Sequence, residues 1–107
     1  MGAWGSDSFD NDTAADWVYS LEEATDATLV RQTLADGSGD EPDADAASEA
    51  IAAAEVVAAG LGRPAADLPP SVTAWVADHG DEDWASLAEP ARAAVANIRE
   101  ASELAEL

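Results

Sequence analysis

The sequence predicts an all-α fold: a compact bundle of about five helices with a non-helical N-terminal arm packed on it. Three observations carry the prediction. Apolar residues recur at three- and four-residue spacing in the longer segments, as in Ala14, Trp17, Val18 and Leu21. No stretch alternates apolar and polar residues over strand length with β-branched enrichment. The periodic segments are parted by strong breakers, notably Asp36-Gly-Ser-Gly-Asp-Glu-Pro-Asp43 and Arg63-Pro-Ala-Ala-Asp-Leu-Pro-Pro70. A chain of 107 residues is long enough for one modest core, so a single domain over 1–107 is expected.

Residues 1–9 have no regular period and contain Gly2 and Gly5, which makes them the arm. A first helix is expected at about 11–23. Asp10 or Asn11 can cap it by accepting from free N–H groups of the first turn, and Phe9 precedes the cap as the outer half of a hydrophobic staple. A second helix, about 26–35, follows the capping residues Thr25 and Asp26 and carries Ala27, Val30 and Leu34 on one side.

The third helix, about 44–60, presents a long stripe of mostly small residues: Ala47, Ala50, Ile51, Ala54, Val57, Ala58 and Leu61. Small side chains let neighbouring helices approach closely, so this is the expected central helix, stopped by Gly60 and Gly62. The fourth helix, about 71–79, buries Val72, Trp75 and Val76. The last, about 84–105, starts behind Asp81-Glu-Asp83 and holds Trp84, Leu87, Ala91, Val95 and Ile98 in register. Pro90 interrupts it, either kinking one helix or standing in the first turn of a second.

Composition limits function more than it specifies it. Twenty-three acids face four arginines and no lysine, for a formal net charge of -19. Such a charge keeps a protein away from nucleic acid and anionic lipid and suits a basic protein partner. The acids are spread along the whole chain, which also fits a halophilic-type surface adaptation. Hydrophobic residues make up 48%, but alanine supplies much of that and buries little area, so four Trp and a limited set of Leu, Ile and Val must form a thin core. With no Cys there is no disulfide, thiol nucleophile or Cys-ligated metal. No apolar run reaches the ~20 residues of a membrane span, and no charged-then-apolar secretory leader is visible. Met1-Gly2-Ala-Trp-Gly-Ser6 meets the loose myristoylation pattern, but one acyl chain anchors only marginally and the acidic surface opposes it. A cytoplasmic location without membrane association is expected.

Motifs for chemistry are weak. Counted as a calcium loop from Asp36, the sixth position is Glu41 and the twelfth Ala47, where glycine and glutamate are needed. His79 lies among Asp78, Asp81, Glu82 and Asp83, yet a single His at a helix end is ordinary helix-end electrostatics. No cofactor, metal site or catalytic residue is expected. An enzyme or metal-binding protein using Asp12, Asp16 and the His79 acidic loop is the alternative. Trp17, Trp75 and Trp84 fall on apolar helix faces and belong to the core. Arg92 and Arg99 can pair with Glu89 and Glu103 for tenths of a kcal/mol.

The N-terminal stretch is the most specific. Met1-Gly2-Ala3-Trp4-Gly5, Phe9, Asn11-Asp12, Ala14 and Asp16-Trp17 place aromatic, glycine and Asn-Asp residues at fixed offsets. The pattern resembles a bacterial domain-of-unknown-function family, number 4259, from which it departs at Asp7, where a Gly is expected. The resemblance implies a bacterial protein and no particular activity. Trp4, Phe9, Asn11, Asp12, Asp16 and Trp17 are the expected binding residues, serving either a recognition surface anchored by Trp4 or the seating of the arm. The functional expectation is a non-catalytic interaction module, inhibitor- or immunity-like, engaging a basic protein.

Overall fold

A computed structural model describes residues 12–39, 44–63 and 68–105. The expected arm, with Trp4, Phe9 and Asn11, lies outside the described residues. Those described form five α-helices, a short 3₁₀ turn and no strand: α1 (Asp12–Glu23), α2 (Thr28–Gly37), α3 (Ala44–Gly60), α4 (Pro70–Asp78), the 3₁₀ turn Trp84–Leu87, and α5 (Ala88–Ala105). The all-α expectation therefore holds. The Cα radius of gyration is 12.8 Å, close to the ~13 Å of a compact chain of this length.

Local chemistry sets the helix ends. α2 starts at Thr28, two residues after the expected position, because the Asp26 carboxylate accepts from the Thr28 N–H at 2.9 Å and holds the preceding residues in a turn. It continues to Gly37 rather than stopping at residue 35. α3 ends in a Schellman motif. The Arg63 N–H donates to the Ala58 carbonyl at 2.8 Å and the Gly62 N–H to the Ala59 carbonyl at 3.0 Å, with Gly62 at a φ of 88° that an L side chain rarely adopts. Pro70 opens α4 one residue ahead of expectation, since the first turn needs no N–H from it.

The expected 84–105 helix divides. Asp83 caps the 3₁₀ turn by accepting from the Ser86 N–H, and α5 then begins at Ala88 with Pro90 in its first turn, where its missing donor costs nothing.

α3 is the centre of the bundle, touching α1, α2, α4, α5 and the 3₁₀ turn. The stripe expected on it is too narrow. Ala52, Ala53 and Val56 are fully buried alongside Ala50 and Val57, whereas Leu61 is 43% exposed. A helix with neighbours on several sides has no single apolar face, and alanine on most of its circumference is what permits that. Around it Leu21, Val30, Leu34, Val72 and Leu87 are fully enclosed, and Trp17, Trp75 and Trp84 join them in one core.

Polar ties orient the helices. The Trp17 indole N–H donates to the Thr33 hydroxyl at 2.8 Å, and that hydroxyl donates to the Leu29 carbonyl, locking α1 to α2 inside the core. Replacing Thr33 by the near-isosteric Val would strand the buried Trp17 N–H. Thr33→Val should lower unfolding free energy by about 1–2 kcal/mol in a denaturant titration, while Trp17→Phe combined with it should restore part of that loss. Asn97 of α5 donates to the carbonyls of Gly37 at 2.9 Å and Gly39 at 2.8 Å, closing the end of α2.

Candidate functional site

α1 presents one face to the core and the other outward. Its apolar residues Ala14, Trp17, Val18 and Leu21 are buried, which turns Asp16, Tyr19, Ser20, Glu22 and Glu23 to the surface. Tyr19 is 68% exposed. Asp16 stands three residues before it, Glu22 three after and Glu23 four after, all neighbours on a helix surface. The result is a phenol ringed by carboxylates.

Hollows flank this ridge on both sides. One, of about 270 Å³, lies among α1, α2 and α3; Asp16, Asp36 and Glu49 supply its carboxylates, and Trp17 and Thr33 its inner wall. The other, of about 240 Å³, runs between α1 and the start of α4, with Tyr19 and Glu22 on one side and Pro69 and Ser71 on the other. A cationic side chain entering either hollow would meet carboxylate oxygens at the rim and apolar walls behind them.

Of the residues expected to bind, Asp16 is exposed at this ridge, and Trp17 is buried at 4% exposure as the donor to Thr33. Asp12 is the first residue of α1; its side chain lies outside the described residues, as do Trp4, Phe9 and Asn11.

The family model for a domain of unknown function, DUF4259, matches residues 2–107. The chain belongs to the DUF4259 family. The match extends the N-terminal likeness over the whole chain, including the alanine-rich helices that carry no motif of their own. Neither a curated protein nor a solved structure matches this DUF4259 chain.

The His79 loop of this DUF4259 protein is built into the helix ends. The His79 ring stacks on the Trp75 indole, with centroids 4.0 Å apart and an interplanar angle of 17°. Its Nδ1 lies 2.8 Å from the Trp75 carbonyl, which can only accept, so Nδ1 carries the proton. The Trp84 indole donates to the His79 carbonyl at 3.1 Å, and Trp75 donates to the Ala24 carbonyl at 3.2 Å. Asp83 is occupied as a cap. Among the described residues no group of three or more His, Asp or Glu is gathered closely enough to hold a metal ion.

Asp26, in the turn before α2, has its carboxyl below the ordinary aspartate range. The main cause is the Thr28 backbone N–H, followed by the Thr28 side chain, with His79 adding a smaller attraction against a small desolvation effect. A depressed carboxyl contributes stability above its unfolded value and loses it as pH falls through the folded one.

Two surface features escape sequence reasoning. Tyr19 is visible in hindsight as an aromatic residue off the Ala14–Leu21 apolar stripe. The other is a groove between α3 and α5 lined by Arg63, Arg92 and Arg99. Arg63 and Arg92 come from different helical regions, so only the fold brings them together. Among the described residues no helix is long and apolar enough to cross a membrane.

Proposed function

We infer that this DUF4259 protein is a non-catalytic interaction module of the bacterial cytoplasm that binds a basic protein partner through the outer face of α1. The observation that carries this reading is Tyr19, 68% exposed and ringed by Asp16, Glu22 and Glu23. An exposed tyrosine adds large, rigid contact area at low entropic cost and is enriched among residues that dominate binding energy. The carboxylates around it would steer and orient a Lys- or Arg-bearing segment, whose long stems could lie in the flanking hollows. A net charge of -19 would speed association with such a partner and repel nucleic acid.

The test is capture from lysate of the source organism on protein tagged at its C-terminus, followed by affinity measurement on the partner retained. A stoichiometric basic protein is expected, weakened as salt rises. Tyr19→Ala should lower its affinity about thirty-fold, corresponding to ~2 kcal/mol, with thermal stability unchanged. Asp16→Asn with Glu23→Gln should mainly slow association. Equal retention by Tyr19→Ala, or binding indifferent to salt, would remove the α1 face from the interaction.

A further inference from the structure

Three of the four arginines of a chain with twenty-three acids line one concavity. The groove, about 430 Å³, runs along the C-terminal half of α3 and the first three turns of α5. Its floor is apolar and built of small residues: Val57 and Ala58 on α3, Ala91 and Val95 on α5. Arg92 and Arg99 are seven residues apart and therefore share a face of α5, while the Schellman turn carries Arg63 to the far end of α3. None of the eleven lining residues is acidic. Leu61, which with Tyr19 makes the two exposed large hydrophobic residues among the described residues, lines the groove at the same end as Arg63.

We propose that the α3–α5 groove binds a small anionic amphiphile, a single carboxylate on an apolar chain, held by Arg63, Arg92 and Arg99. The volume lies in the range of small-ligand sites, and the composition, apolar walls with a few convergent charged groups, is that of such sites. Charge selects the occupant. A nucleic acid, an anionic bilayer or an acidic protein segment would bring many negative charges into the field of a -19 protein. A ligand with one negative charge meets that repulsion once and is compensated locally by guanidinium groups suited to a carboxylate. The ion pair from Arg92 Nη1 to Glu89 Oε2, at 3.0 Å, is between exposed side chains, so Arg92 can exchange Glu89 for a ligand at little cost. This site lies on a different face from Tyr19 and does not depend on the partner inferred above.

The experiment is an amide-resolved NMR titration of the full chain with sodium decanoate, with decyltrimethylammonium as the cationic counterpart at equal ionic strength. Decanoate should shift amides of 57–63 and 91–99 saturably, more tightly than hexanoate, and decyltrimethylammonium should not. Arg63→Gln with Arg99→Gln should weaken decanoate binding at least tenfold, and Ala58→Phe should block it. Arg31→Gln, on α2 away from the groove, should leave it within twofold. Circular dichroism separates loss of the site from loss of the fold, and the Arg→Gln pair alters only exposed side chains. Absence of saturable shifts at those amides overturns the proposal, as does equal binding of the cation or an equal effect of Arg31→Gln. An acidic amphipathic peptide that binds there where decanoate does not would assign the groove to a protein partner instead, and overturns it too.

Discussion

Trp84→Ala is expected to lower the unfolding free energy by about 3–5 kcal/mol, a large part of what a domain of this size has. The indole is 4% exposed and sits at the junction of three elements. Its ring covers Gly60 at the end of α3, meets Trp75 edge-on with centroids 6.1 Å apart, and donates to the His79 carbonyl. Truncation removes all three contacts and opens a cavity that helix ends tied by Pro90 and the Asp83 cap cannot readily close.

The same geometry fixes the sign of a coupled change. A side chain at Gly60 would run into the Trp84 ring in the native protein, so Gly60→Leu alone should be strongly destabilising. In a Trp84→Ala background the leucine has space to fill, and the double variant should be more stable than the sum of the single changes. A denaturant-melt cycle measures this directly, and strict additivity would show that residue 60 and Trp84 do not share that space.

Gly37→Leu is the second large effect, at about 3 kcal/mol or somewhat less. Gly37 is the last residue of α2 and buried, and a Cβ there would run into the Ala50 Cβ of α3, with Ile98 and Ala94 of α5 next in line. Even Gly37→Ala should destabilise, although alanine in a helix ordinarily gains roughly 0.5–1 kcal/mol over glycine. That reversal of sign is the discriminating result. If Gly37→Ala raises the melting temperature, α2 and α3 do not approach as closely as the structure places them.

These positions show what was legible in the sequence. The helical class followed from the spacing of Ala14, Trp17, Val18 and Leu21 and its counterparts, because an amphipathic helix writes its buried face into its period. Gly37 did not follow. It opens the run Gly-Ser-Gly and reads as loop, whereas the structure makes it the end of a helix in close contact with Ala50, thirteen residues further on and roughly 45 Å of extended chain away. Gly60 reads as a stop signal, and its role beneath Trp84 depends on a residue twenty-four positions later. The width of the buried arc on α3 was hidden for another reason: alanine fits a buried or an exposed position equally well, so a run of it carries little phase. At the candidate site, Asp16 was readable as polar surface and Trp17 as core. The hollow beside them was not, since Asp36 and Glu49 reach it from two other helices.

The enclosure of α3 also means that stability is unevenly shared along the chain. A helix with neighbours on several sides cannot open by peeling one face away, so the amides of Ala52 to Val57 exchange with solvent only when the bundle comes apart as a whole. α1 and α4 are covered by fewer neighbours and can open locally at lower cost. Hydrogen exchange at the centre of α3 therefore reads the global free energy of the molecule, while exchange in α1 reads how firmly its outward face is held in place.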